Sequence, residues 1–321
     1  MQREKQSDQT GMVKTTAYRA DLKAELDRAL DLLSDYRAAS GQGQLAPLSS
    51  LLEECETLCA EVAAENATVF RSLHHFACSG GTLISKCVGA LPNTVLLSEI
   101  DPLSTLHFRK QLIRPFYPTD VVSDLYFNPR ISDTSIQKDV FLAGISKMQE
   151  TLNGRGLNLV LRDHAHSQFC FNVDPEARAT LYEILQPAGQ VHGAVTLRHP
   201  LDSYLSLAAN KWRHFEPFTL DEYCRRYDLF LDRYVGLPWI KYESFLDRPE
   251  DVLAEIAVAL KLPFNAAALD AAMVMKLSGD SGRGGTKISR RPRREIPEHI
   301  QQEAEQSERF APLCGRMGYE V

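Results

Sequence analysis

The sequence predicts an α/β protein in which helices cover a parallel sheet, and three observations carry that prediction. From residue 70 onward, short apolar segments alternate with stretches of helical period. Those apolar segments are brief and near-continuous, as strands buried on both faces are. Two of them deliver a polar turn to the start of a helix, which is how such sheets present ligand sites at the carboxyl ends of their strands.

Taken in order, residues 1–15 are polar, and 18–38 place Leu22, Leu26, Ala29, Leu30 and Leu33 at helical spacing. Ser40-Gly41-Gln42-Gly43 breaks that helix. A second helix begins near Ser50, where Ser50 and Glu53 have capping-box spacing, and carries Leu51, Leu52, Cys55, Leu58 and Val62 on one side. Residues 1–68 therefore read as an N-terminal helical hairpin, a surface suited to packing on the body or on a second copy in a homodimer. Residues 69–321 read as the α/β domain. Its strands are expected at 71–77, 94–98, 157–162, 191–197 and 238–242, and its helices at 82–90, 101–114, 137–152, 175–186, 201–211, 219–235 and 249–260. Thr219 with Glu222, and Asp247-Arg248-Pro249-Glu250, have the chemistry of helix starts. Trp212, Trp239, Tyr223, Tyr227, Phe230 and Tyr234 read as packing residues.

Bulk properties narrow the function. At 321 residues the chain suffices for one large core, or for an α/β domain with a helical addition. A net charge of −6 argues against general nucleic-acid binding. Seven scattered cysteines, an odd number, fit reduced thiols in a cytoplasmic protein better than a disulfide framework. No apolar run is long enough for a membrane span, and the charged start (Arg3, Glu4, Lys5) is not that of a signal peptide.

The chemistry concentrates in two segments. His74-His75-Phe76-Ala77-Cys78-Ser79-Gly80-Gly81-Thr82 reads as a strand ending in a small-residue turn that opens a helix at Leu83. Val195-Thr196-Leu197-Arg198-His199-Pro200-Leu201-Asp202 reads as a strand delivering an arginine, then a helix carrying Ser206. A helix start offers unpaired N–H groups and a positive dipole end to an anion, and an arginine adds a planar two-pronged donor. The pair suggests a ligand with phosphate-like groups at both ends. The first turn is not a Walker A loop, since no Lys-Ser/Thr pair follows a second glycine, and no G-x-G-x-x-G occurs.

Together these segments resemble the sulfotransferases that use 3′-phosphoadenosine 5′-phosphosulfate (PAPS). That family has a P-[K/R]-S-G-T-T loop for the 5′-phosphosulfate and an R-x-P-x-D-x-x-x-S segment for the 3′-phosphate. Arg198-His199-Pro200-Leu201-Asp202 through Ser206 fits the second at every defined position. Residues 78–82 fit the first with Cys78 in place of the basic residue and Gly81 in place of a threonine, and their spacing is closer to the S-G-T-T-L of the tyrosylprotein and carbohydrate branch. Ile240-Lys241-Tyr242-Glu243-Ser244-Phe245-Leu246 is similar to the family's Y-E-D-L strand and helix. The resemblance covers roughly 70–300 and implies a P-loop-like three-layer fold, PAPS as cofactor, and transfer of its sulfuryl group to a hydroxyl or amine. It implies cofactor contacts from Cys78, Ser79, Gly80, Gly81, Thr82, Leu83, Arg198 and Ser206. It adds Arg283, Gly284 and Gly285 in the glycine-rich segment 281–287.

The departure at Cys78 leaves the loop without its cation; Arg283 is the first substitute, with Arg162 and Lys86 as others. In Leu161-Arg162-Asp163-His164 the arrangement is similar to the family's K-T-H, which makes His164 the expected general base and Arg162 the assisting cation. Glu99, ending the second strand, is the rival base. Arg290, Arg291, Arg293 and Arg294 read as a solvated basic loop, with a lid over the cofactor as the functional alternative. His74, His75, His164 and His166 have no zinc spacing, so no metal is expected. The expected acceptor is a small molecule, a glycan or a peptide. Two other functions also stay open, an atypical P-loop kinase or hydrolase and a nucleotide-binding protein without catalysis.

Overall fold

The computed structural model describes residues 69–106, 120–131, 133–274, 288–290 and 292–321, together with Asp27, Arg28, Leu30 and Asp31. The chain divides into two compact units, Met1–Ala64 and Glu65–Val321. The four described residues of the first are helical, and the expected hairpin, with Cys55 and Cys59, otherwise lies outside the described residues.

The second unit is built on five parallel strands: β1 (Val69–His75), β2 (Thr94–Ile100), β3 (Asn158–Asp163), β4 (Gln190–Leu197) and β5 (Trp239–Lys241). Their order is β2-β3-β1-β4-β5. β1 lies at the centre and is buried at every position. The helices are α1 (Gly81–Gly89), α2 (Val121–Tyr126), α3 (Ser135–Asn153), α4 (His166–Phe169), α5 (Leu181–Leu185), α6 (Pro200–Ala209), α7 (Leu220–Arg233), α8 (Tyr242–Asp247), α9 (Pro249–Ala259), α10 (Ala268–Ala272), α11 (Glu298–Gln306) and α12 (Phe310–Met317).

Alternate residues of one strand feed opposite faces, which makes three layers. Val160 and Ala194 pack with α1, α8, α9 and α10. Leu159 and Leu161 pack with α3 and α5, and Val195 and Leu197 with α4, α6, α7 and α12. Tyr223, Tyr227, Phe230 and Tyr234 are fully buried in the latter cluster, as their spacing predicts. Trp239 is not a core residue, being 38% exposed on the short edge strand β5.

Three helix expectations are corrected. Asp101–Leu106 is turn and coil, because the Asp101 carboxylate accepts from the Leu103 amide and takes both Arg178 nitrogens, at 2.7 and 2.6 Å; 107–114 lie outside the described residues. The helix expected over 175–186 starts only at Leu181. Gln168 Nε2 donates to the carbonyls of Pro175 and Arg178, holding that stretch as turns, and Thr180 with Glu183 forms the capping box that opens α5. Asp247 does not cap α9: it ends α8, and its carboxylate takes Arg290 at 2.6 Å through both oxygens. Thr219 does cap α7, accepting from the Glu222 amide. Among the described residues no helix is long and apolar enough to cross a membrane.

Candidate functional site

The turn after β1 is shaped by two backbone needs. Cys78 (φ 61°) and Gly80 (φ 87°) both lie in the left-handed region, which costs little at Gly80 and more at Cys78. The Ser79 amide and hydroxyl both donate to the Phe76 carbonyl, at 3.2 and 2.8 Å, and its Oγ lies 3.2 Å from Thr196 Oγ1 at the end of β4. A Cβ on Gly80 would lie 2.2 Å from the Tyr242 ring, and one on Gly81 2.3 Å from the His75 ring. Glycine is therefore required at both positions, and the close approach carries the chain into α1, whose first turn reaches Leu83 with its amide bonded to the Gly80 carbonyl at 3.1 Å.

Beside this turn, the Arg198 Nη1 donates to the Cys78 carbonyl and to Ser206 Oγ, both at 3.1 Å. The guanidinium also lies 5.5 Å from the Tyr242 ring centroid. Residues distant in the chain, Cys78, Arg198, Ser206 and Tyr242, thus form one group at the carboxyl ends of β1, β4 and β5. Cys78 itself is uncharged here: burial pushes its thiol up to about 11, against the opposing pull of Arg198, Asn210 and Arg294.

A second group forms at the ends of β2 and β3. The two strands pair up to Leu97 and Leu161 and resume at Ile100 and Asp163, so β2 carries a bulge, with Glu99 at φ 62° inside it. A left-handed glutamate is a strained backbone, of the kind concentrated at functional sites. Glu99 Oε1 takes Arg162 Nη2 at 2.7 Å, and Oε2 lies 3.3 Å from His164 Nε2. Arg162 donates further to Ser98 Oγ (2.9 Å) and Thr82 Oγ1 (3.1 Å). Its side chain is only 8% exposed, and burial pulls the guanidinium below its ordinary value while Glu99 pulls it back. The three residues expected from sequence as separate or rival groups are thus one cluster of charged side chains, tied through the Arg162–Thr82 hydrogen bond to the start of α1. Ser98 was not foreseen; its only signal is its position beside Glu99 at a strand end.

His166 continues this wall. Its Nε2 lies 3.3 Å from His214 Nδ1, the Trp212 ring meets it edge-on, and burial pushes it down to about 3, so it stays neutral. His74, by contrast, is structural. Ser72, His74 and Asp163 line up as in a hydrolytic triad, at 2.9 and 2.8 Å, and Tyr234 donates to Asp163 at 2.6 Å. Ser72 and His74 have no exposed surface, so no substrate reaches them, and the chain of bonds fastens β1 to β3. His75 is likewise sealed, between Thr196 Oγ1 and Ser85 Oγ. Among the described residues no three His, Cys, Asp or Glu side chains are grouped to hold a metal. Arg283, Gly284 and Gly285 lie outside the described residues.

No protein-family model matches the chain, and no curated protein matches it. Solved structures do. The sulfotransferase domain from the Synechococcus PCC 7002 olefin synthase is 16% identical with a TM-score of 0.48, over 80% of this chain and 97% of that one. The sulfotransferase domain from the curacin biosynthetic pathway is 13% identical with a TM-score of 0.46, over 79% and 98%. Mouse sulfotransferase SULT7A1 complexed with PAP is 11% identical with a TM-score of 0.38, over 78% and 89%. Likenesses this distant assign no activity to the chain.

Proposed function

We propose that this protein is a PAPS-dependent sulfotransferase, moving a sulfuryl group to a hydroxyl or amine acceptor. The observation that carries the reading is the convergence of Arg198, Ser206 and the Cys78–Thr82 turn beside the Glu99–Arg162–His164 cluster. The donor set suits the cofactor: a guanidinium, a hydroxyl and the start of α1 all favour phosphate oxygens. Arg198 and Ser206 would hold the 3′-phosphate, and Ser79, Gly80, Gly81, Thr82 and Leu83 the 5′-phosphosulfate end. When bound, PAPS supplies the activated sulfuryl group.

The chain's own residues then have separable roles. His164 is the base. Its Nε2 lies 3.3 Å from the Glu99 carboxylate, so with the ring proton on Nε2 the Nδ1 is left to take the acceptor proton, and Glu99 steadies the imidazolium that forms. Arg162, joined to both Glu99 and Thr82, places positive charge between the base and the turn, where charge develops during transfer. It does so from β3, beside a turn whose own residue at the family's basic position is a neutral thiol. The reading needs no metal.

Release of 3′,5′-adenosine bisphosphate from PAPS, measured with and without a panel of phenol, sugar and peptide acceptors, tests it. His164→Ala and Arg162→Ala are expected to lower turnover by about 10²–10³ while nucleotide affinity holds. Tight nucleotide binding with no sulfated product, and no effect of either variant, would instead identify a binding protein.

A further inference from the structure

The chain after α12 is fastened to the backbone of the anion site. Gly318 (φ 67°) ends α12 in the left-handed region, and the Tyr319 amide donates back to the Cys314 carbonyl at 2.8 Å. Lys241, the last residue of β5, donates its ammonium to the Gly318 carbonyl and lies 4.5 Å from the centroid of the Tyr319 ring. The Tyr319 hydroxyl donates to Glu243 Oε2 at 2.6 Å, and Oε1 of the same carboxylate accepts from the His199 amide at 3.2 Å. The Glu320 carbonyl takes His199 Nε2 at 3.0 Å, and the Tyr319 and His199 rings meet edge-on at 5.4 Å.

His199 is the residue next to Arg198, so these bonds act on the backbone that delivers the guanidinium. Its Nδ1 accepts from the Leu201 amide at 3.3 Å, which puts the ring proton on Nε2, where Glu320 accepts it. Burial pulls the ring below its ordinary value, in keeping with that neutral form. Arg293 Nη2 also reaches this ring, at 3.3 Å, while its Nε donates to Asp202 at 2.6 Å. Glu243 follows Tyr242, whose ring lies against Gly80 and 5.5 Å from the Arg198 guanidinium. One carboxylate therefore ties Tyr319 to two supports of Arg198, the amide beside it and the residue whose ring it covers. A cation held in this way is aimed in advance, and little ordering is left for a ligand to impose.

We propose that Tyr319 is a positioning residue of the anion site: through Glu243 it fixes the His199 amide, and so the direction in which β4 delivers Arg198. This rests on the nucleotide reading of the Arg198–Ser206 pair. Calorimetric titration with 3′,5′-adenosine bisphosphate tests it on wild type, Tyr319→Phe, Glu243→Gln, the double variant and Arg198→Ala, with thermal melts alongside. Tyr319→Phe keeps the ring beside Lys241 and is expected to weaken binding about 10-fold, as the loss of one hydrogen bond to a charged group does. Because Tyr319 and Glu243 act through one bond, the double variant should bind no more weakly than Glu243→Gln alone. Wild-type affinity in Tyr319→Phe, with a lowered melting temperature and with binding lost in Arg198→Ala, would make the bond merely structural; it overturns the role of Tyr319 and leaves the nucleotide reading intact. Additive losses in the double variant would overturn that role too. Absence of binding to folded wild type would overturn both. A ligand-free measurement checks the linkage: exchange of the His199 amide, followed by NMR, should quicken about 10-fold in Tyr319→Phe. An unchanged rate would mean that Tyr319 does not hold the backbone beside Arg198, and the proposal fails.

Discussion

Gly80→Ala is expected to damage both the stability of the α/β unit and its anion site, through one ring. The added Cβ would lie 2.2, 2.3 and 2.8 Å from Cδ2, Cε2 and Cγ of Tyr242, where ordinary contacts begin near 3.4 Å. The ring, only 3% exposed, must shift by about 1 Å inside a packed core, a strain of the overpacking kind that costs about 1–3 kcal/mol. The backbone adds about 1–2 kcal/mol, because φ of 87° suits glycine and not alanine. The sum is about 2–5 kcal/mol, or a melting temperature lower by roughly 5–15 °C for a unit of this size. Thermal and urea melts of wild type, Gly80→Ala, Tyr242→Ala and the double variant separate the two parts. Removing the ring should relieve the overpacking but not the backbone strain, so the pair should couple by about 1–3 kcal/mol. Because Arg198 lies over the same ring, Gly80→Ala should also weaken nucleotide binding. Additive effects within about 0.5 kcal/mol would refute the steric argument.

Other outcomes follow from the same geometry. Arg162→Ala should destabilise by about 2–4 kcal/mol, because it strips Glu99, Ser98 and Thr82 of their shared donor; the double variant with Glu99→Ala should be less than additive, and additivity in urea melts would contradict the cluster. Burial lowers His75 well below the ordinary 6.5 and His166 to about 3, so the unfolded chain binds more protons below pH 6.5. The stability these two neutral rings contribute is full above that pH. It falls by about 1.4 kcal/mol per pH unit for each as pH drops, for His166 down to about pH 3; urea midpoints from pH 7 to 5 should show this, with a shallower slope in His166→Gln. Thr219→Ala removes the acceptor for the Glu222 amide at the start of α7 and should cost about 1 kcal/mol in the same melts.

Much of the fold was legible because its strands are short apolar runs between turn residues. β1, β3 and β4 lie within a residue or two of where the pattern put them, and the sheet is parallel as their continuous apolarity implies. What escaped depends on contacts between distant residues. Residues 175–180 have helical composition but are held as turns by Gln168, and only the Thr180–Glu183 capping box marked the true start of α5. α11 was unread because it is polar around almost its whole circumference, with Ile300 its one buried residue. The short helices α2, α4, α8 and α10 carry too few turns for periodicity to register, and α12 was also missed. At the site, Glu99, Arg162 and His164 were each visible as strand-end residues. Their union was not, because it depends on a register shift in β2 that leaves no mark in residue types. Arg293 was read as solvated, yet it bonds Asp202, a position that the sequence used only to define a motif.

The central claim is that Arg198, Ser206 and the Cys78–Thr82 turn hold a nucleotide bearing phosphate at both ends. Thermal-shift and calorimetric titration with 3′,5′-adenosine bisphosphate, on wild type and Arg198→Ala with ATP as the control, addresses it directly. At 100 times its dissociation constant the ligand should stabilise wild type by about 2.7 kcal/mol, with the effect lost in Arg198→Ala and not matched by ATP. A folded wild-type protein that shows no saturable response, or one that Arg198→Ala leaves unchanged, would contradict the account.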